Sequence, residues 1–176
     1  MTLEERIKEE IRDVQDFPKP GIVFKDISPI LKNAQLSRDI TKAYAEKLKD
    51  QNIDAIAGVE SRGFLFGMAL AMEMDLPFIL IRKKGKLPYK TVSYKYDLEY
   101  GSAEIEMHTD AVSEGMNVLI HDDLLATGGT AAATAELLKM KNANVAAFAF
   151  IVDLSFLNGS EILKKYSENI INLVAY

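Results

Sequence analysis

The 176-residue chain contains no cysteine, which removes disulfide staples, thiolate zinc sites and a cysteine nucleophile at once and sits easily with a reducing cytoplasm. Its two histidines are too few for a His-rich metal site. Positive charge is also scarce. The 21 Lys and Arg against 26 Asp and Glu leave a net charge of −5, so no general field draws in a nucleic-acid backbone. The longest strongly apolar run, residues 145–152 (VAAFAFIV), is eight residues, far short of the ~20 that a membrane-spanning helix needs. The charged start, MTLEERIKEEIRD, holds no apolar stretch of signal-peptide length. These absences predict a cytoplasmic chain with neither membrane nor nucleic acid as a partner.

What is present suffices for a packed core: 48% hydrophobic and 27% charged residues, in a length that suits a single domain over 1–176. Thr2 and Glu5 form a capping-box pattern, and Leu3, Ile7, Ile11 and Val14 share one helical face, predicting an opening helix that ends before Pro18. Pro18, Pro20, Gly21 and Pro29 then make residues 17–31 an ordered extended arm, with Ile22, Phe24, Ile27 and Ile30 seeking burial. Ser37 is a candidate cap for a second helix carrying Ile40, Tyr44 and Leu48.

From residue 53 onward short apolar strands (53–59, 77–81, 116–121, 144–152, 170–175) alternate with helical segments (64–74, 130–141, 161–166). That alternation predicts a Rossmann-like α/β fold with a mostly parallel sheet and helices on both faces. Residues 92–98 and 103–107 alternate with period two about Glu99, Tyr100 and Gly101, which predicts an antiparallel hairpin beside that sheet.

Ligands of such sheets gather beyond the carboxyl ends of the strands, where three unusual loops fall. Residues 126–130 (ATGGT) stand where a helix begins, so free amides, two hydroxyls and close-approach glycines together make a phosphate cradle. Asp122 and Asp123 precede it and can accept from vicinal hydroxyls or meet Mg²⁺; the pair reads as ribose beside its phosphate, or, more plainly, as a tight strand-to-helix turn with capping acids. Arg62, beside Ser61, can fork onto a second phosphate, and Arg82, Lys83, Lys84 and Lys86 concentrate positive charge; either loop could equally be solvated surface. Neither a Walker A nor a G-x-G-x-x-G pattern is present.

The run VLIHDDLLATGGTAA (118–132) resembles the phosphoribosyl-diphosphate (PRPP) motif of the type I phosphoribosyltransferases. The segments 17–31 (FPKPGIVFKDISPIL), 60–67 (ESRGFLFG), 82–88 (RKKGKLP) and 98–101 (LEYG) are similar to those of the adenine-specific branch of that family. The resemblance implies purine salvage: Mg²⁺-dependent transfer from PRPP to adenine, giving AMP and diphosphate, in a homodimer. Residue by residue it implies that Ala126, Thr127, Gly128, Gly129 and Thr130 hold the 5′-phosphate and that Asp122 and Asp123 hold the ribose hydroxyls. Ser61, Arg62, Arg82 and Lys86 would meet the diphosphate, and Val23, Phe24 and Lys25 would line the adenine pocket within a 1–36 arm. Glu99, as acid or base, with Tyr100 and Arg62 would be catalytic, the first two on a mobile hood over 83–108. Mg²⁺ would be carried mainly by PRPP, with no metal site of the chain's own.

The PRPP motif does not choose the base, so another purine remains open; a non-catalytic PRPP-sensing regulator would carry an added helix-turn-helix or basic face. Lys25 stands where many relatives carry Arg, and His121 where an aliphatic residue is usual. His121 reads as a strand histidine with a satisfied ring nitrogen and His108 as an exposed bystander. Phe64, Phe66, Met68, Met72 and Met74 read as core. Tyr89, Tyr94, Tyr96 and Tyr100 suit either a two-fold interface or base stacking.

Overall fold

The computed structural model describes residues 1–98 and 101–176. The expected capping box opens helix α1 (Leu3–Glu10): the Glu5 amide donates to Thr2 Oγ1 at 3.2 Å, and the Thr2 amide to Glu5 Oε2 at 2.7 Å. The helix stops sooner than its apolar spacing predicts. Ile11 turns extended, and Val14 lies in strand β1 (Arg12–Gln15), paired antiparallel with β2 (Val23–Asp26) in a separate two-stranded sheet. Backbone pairing outweighs helical spacing here because β1 satisfies amides and carbonyls that the arm would otherwise leave to solvent. Ile27 and Ile30 of the arm are buried, whereas Ile22 is exposed.

Helix α2 (Ala34–Leu48) is capped by Asn33, whose Oδ1 accepts from the Leu36 amide at 3.0 Å; Ser37, the expected cap, instead donates its hydroxyl to the Ile30 carbonyl at 3.1 Å. The main sheet then follows. Its strands are β3 (Ala55–Val59), β4 (Phe78–Lys83), β5 (Thr91–Asp97), β6 (Ser102–His108), β7 (Asn117–Leu125), β8 (Asn144–Asp153) and β9 (Ile170–Ala175), with helices α3 (Gly63–Glu73), α4 (Gly129–Met140) and α5 (Gly159–Leu163) in the crossovers. The order across the sheet is β5-β6-β4-β3-β7-β8-β9. The last five in that order are mutually parallel, with Ile56 opposite Phe78 and Gly58 opposite His121. This is the mostly parallel α/β sheet that the alternation predicts.

The hairpin of β5 and β6 continues the sheet instead of standing beside it, because β6 pairs antiparallel with β4 through Arg82 opposite Glu106 and Lys83 opposite Ile105. Each face of the sheet buries its own core. Ile81, Ile120, Leu137, Phe148 and Phe150 pack on the α4 side, while Tyr44, Ile56, Leu70, Leu119 and Ile151 pack on the side of α2 and α3. Burying Phe148 or Phe150 contributes about 1.5–3 kcal/mol each. Helix α3 corrects part of one expectation: Phe66 is buried and Met74 packs against the core, but Met68 and Met72 are 47% and 72% exposed and face outward.

From β3 the chain leads to β4 on one side, and from β7 to β8 on the other, so the winding reverses between two adjacent strands. The crevice beyond their carboxyl ends is where such sheets bind ligands. Among the described residues no helix is long and apolar enough to cross a membrane.

Candidate active site

Strand β7 runs on through Leu125, past the expected 116–121, so Asp122 and Asp123 lie within it; the ladder to β8 continues with Asp122 opposite Phe150 and Leu125 opposite Asp153. Rigid backbone therefore aims both carboxylates. Asp123 is 3% exposed and accepts a charge-assisted hydrogen bond from Arg62 Nε at 2.5 Å across the switch point. Burial works against the Arg62 charge, but Asp123 foremost, with Asp122 and Asp26, outweighs it and raises the guanidinium pKa. Burial and the neighbouring Asp123 charge push the Asp122 carboxyl well above the usual carboxylate range. Arg62, expected at the diphosphate, and Asp123, expected at the ribose, thus hold each other.

The basic loop is organised by two glutamates. Val59 pairs with Ile81, so the next residues, Glu60 and Arg82, meet: Arg82 Nε and Nη2 donate to the Glu60 carboxylate at 3.2 Å each, and the Lys83 amide donates to it at 2.9 Å. Arg82 above all holds the Glu60 carboxyl below its ordinary range. Arg82 Nη1 also donates to the Lys86 carbonyl at 3.1 Å, and Oε1 of buried Glu106 accepts from the amides of Lys86 and Leu87 at 2.9 Å each. Burial would raise the Glu106 pKa, but the backbone donors of Leu87, Gly85 and Lys86 and the Thr91 hydroxyl together prevail and lower it. Ser61 follows Glu60 through a cis peptide bond.

Residues 126–130 form the turn into α4. Gly128 has φ +82°, and a Cβ there would come within 2.7 Å of the Gly159 carbonyl oxygen, so only glycine fits against the start of α5. A Cβ at Gly129 would meet only Thr127 Oγ1, at 3.9 Å: that side of the turn is open. With Gly128 as N-cap, no side chain among the described residues caps the helix, so the first-turn amides are free beside a hollow of about 90 Å³ bounded by Asp122, Thr127, Gly129 and Thr130. From the hairpin, Tyr96 Oη lies 3.1 Å from Thr130 Oγ1. A further cavity of about 430 Å³, lined by Glu60, Lys83, Lys84, Tyr96, Glu104 and Thr130, joins the basic loop to the cradle.

Of the arm residues, Phe24 approaches the crevice: the Arg62 guanidinium stands 5.3 Å above its ring, and Phe17 meets it edge-on at 5.2 Å. The Lys25 side chain turns elsewhere, pairing with Asp13 at 2.7 Å over the Tyr176 ring, and Val23 is exposed. Glu99 and Tyr100, expected to be catalytic, lie outside the described residues.

Both histidines depart from expectation. His121 is fully buried, edge-on to Tyr44 at 5.6 Å, and among the described residues neither ring nitrogen completes a hydrogen bond. Burial lowers its pKa to about 4, against the smaller opposing pull of the Asp123 carboxylate and the Ala149 main chain. His108 is partly buried against Tyr89, its Nε2 without a hydrogen-bond partner among the described residues.

Sequence reasoning missed Glu60 and Glu106 as organisers of the basic loop, Tyr96 as a neighbour of the cradle, and Gly159 as its floor. Strand register could have found Glu60, since it and Arg82 each follow a residue of one parallel pair. Gly159 and Tyr96 come from remote segments and left no local signal.

A doubly wound sheet with an acid pair and a glycine-threonine cradle at its switch point defines the phosphoribosyltransferase class, and residues 26–168 match the phosphoribosyl transferase domain. The adenine phosphoribosyltransferase of Cytophaga hutchinsonii is 52% identical over 174 residues, covering 99% of this chain and 96% of its own. The solved adenine phosphoribosyltransferase of Thermoanaerobacter pseudethanolicus superposes with a TM-score of 0.95 at 47% identity, covering 99% of this chain and 100% of its own. That of Saccharomyces cerevisiae, complexed with adenine and an imino-altritol bisphosphate, gives 0.89 at 37% identity, over 97% of this chain and 98% of its own. The chain belongs to the adenine phosphoribosyltransferase family.

Proposed function

We infer that the chain is a transferase of purine salvage that moves the 5-phosphoribosyl group from PRPP to adenine, giving AMP and diphosphate. The observation that carries this reading is the crevice between β3 and β7, where an acid pair and an uncapped, hydroxyl-bearing turn share one strand-to-helix junction. In the reaction the bond from C1′ to the diphosphate oxygen breaks, the bond to the purine nitrogen forms, and the purine loses a proton. Positive charge develops on the ribose ring meanwhile, so the site must neutralise the departing diphosphate, hold the sugar and exclude water.

Residues 126–130 would grip the 5′-phosphate through amides and hydroxyls. The helix end adds only ~0.3–1 kcal/mol, so the direct hydrogen bonds do most of the holding. Asp122 and Asp123 would accept from the ribose hydroxyls. Ser61, Arg62, Arg82 and Lys86 would face the diphosphate; for Arg62 and Arg82 this means exchanging Asp123 and Glu60 for phosphate oxygens. Phe24 would wall the adenine pocket, with Val23 and Lys25 contributing main chain, since the Lys25 ammonium is engaged by Asp13. Glu99 would act as acid or base at the purine beside Tyr100, on a hood spanning 83–108, while 1–36 forms the base-pocket arm of a single 1–176 catalytic unit.

Mg²⁺ fits this donor set as a passenger of PRPP: Asp122, a hard oxygen donor, borders the cradle hollow, with Asp123 next to it in β7. When bound it would supply charge neutralisation of the diphosphate. We also infer a cytoplasmic homodimer. Leu31, Leu65 and Met72 are exposed around a hollow of about 500 Å³ between α2 and α3, with Met68 beside them, an apolar face that a second copy would cover.

The deciding experiment supplies the protein with Mg²⁺, PRPP and a mixture of adenine, hypoxanthine and guanine, and identifies the nucleotide formed. AMP alone is expected; formation of the 6-oxopurine nucleotides with adenine left untouched would overturn the substrate assignment.

A further inference from the structure

We propose that Tyr96 is a positioning residue for the 5′-phosphate: its phenol orients the Thr130 hydroxyl and so ties the hairpin to the cradle. This rests on the reading of residues 126–130 as the phosphate site. The two oxygens lie 3.1 Å apart although their residues are 34 positions apart in sequence. Both side chains border the cavity that joins the cradle to the basic loop.

The direction of that hydrogen bond follows from the site's chemistry. A threonine hydroxyl has one proton, and an anion in the cradle needs it as a donor. If Thr130 spent its proton on the phenol, it would turn lone pairs toward the phosphate. With Tyr96 donating to Thr130 Oγ1, the Thr130 proton is free to point at a phosphate oxygen, and the two bonds reinforce each other as a chain.

Rigid structure holds both ends. Tyr96 sits in the β5–β6 ladder opposite Ala103, its ring packed on the core beneath α4. The main chain of Thr130 is fixed in the first turn of α4, where its carbonyl accepts from the Thr134 hydroxyl at 2.9 Å. With the main chain of Thr130 held, Tyr96 sets the direction of its hydroxyl. The phenol therefore acts through Thr130 and contributes to affinity for the phosphate end of the substrate alone.

The test compares the full chain with Y96F, T130V, T130S and the Y96F/T130V double variant, after circular dichroism has matched their folds. Ribose 5-phosphate and inorganic diphosphate are titrated by calorimetry, and KM for PRPP and kcat are measured. Y96F should weaken ribose 5-phosphate binding and raise KM for PRPP by about 3- to 10-fold, the loss of one neutral hydrogen bond. Diphosphate affinity and kcat should move by less than the phosphate-end effect. T130S, which keeps the hydroxyl, should lose less affinity than T130V, and the double variant should bind no more weakly than T130V. The proposal is overturned if Y96F leaves ribose 5-phosphate binding unchanged while T130V weakens it, or if the two losses simply add. If T130V itself has no effect, the cradle assignment falls and this proposal falls with it.

Discussion

Replacing His121 by valine should flatten the acid limb of the protein's stability curve. The imidazole is wholly buried, edge-on to Tyr44, and its pKa is lowered from 6.5 to about 4, chiefly because burial disfavours the cation. As pH falls through 6.5 the unfolded chain takes up a proton that the folded chain refuses, so this residue removes stability between pH 6.5 and pH 4. The loss between pH 7 and pH 5 comes to about 2 kcal/mol, saturating at about 3 kcal/mol below pH 4. Asp122, with its raised pKa, works in the opposite sense: its contribution is present at low pH and fades as pH rises. It is common to both proteins and cancels in their difference. Removing two unpartnered nitrogens adds an offset that does not vary with pH, so only the slope bears on the reasoning. Because the chain lacks tryptophan, urea unfolding is best followed by far-ultraviolet circular dichroism at pH 7, 6 and 5. A stability difference between parent and His121→Val that stays constant over that range would refute the argument.

Asp123→Asn combined with Thr130→Ala should weaken PRPP binding by at least about 30-fold in calorimetry, since one charged and one neutral hydrogen bond are lost; undiminished binding counts against both roles. Gly128→Ala should lower the urea midpoint, because a left-handed alanine costs about 1–2 kcal/mol and its Cβ would press on the Gly159 carbonyl; an unchanged midpoint contradicts that packing. Glu99→Leu should reduce kcat more than it reduces PRPP affinity, and equal losses in a combined kinetic and binding measurement would remove it from the purine end of the reaction. Leu65→Glu with Met72→Glu should yield a monomer in light scattering, and an unaltered mass would discount the α3 face as the dimer contact.

The architecture was legible because its signals are local. Period-two alternation located β5 and β6, and short apolar runs located β3, β7 and β8 to within a few residues. The turn before α4 was visible from ATGGT alone, because a left-handed backbone such as that of Gly128 favours glycine. Where expectation failed, a distant segment intervened. Val14 left its helical pattern because β2 offered a partner, Asn33 displaced Ser37 as a cap, and β7 lengthened past the acid pair because β8 runs alongside it. His121 defeated the expectation of a satisfied ring because its surroundings come from α2 and from across the sheet.

The order of apolar runs and turns along this chain determined the layered sheet and the residue types at each strand end, since periodicity and turn chemistry act over a handful of positions. Which of those residues meet was decided by the winding of the sheet. Arg62 reaches Asp123, Arg82 reaches Glu60 and Tyr96 reaches Thr130, because adjacency across a folded sheet depends on strand order and register, which no short stretch of sequence encodes.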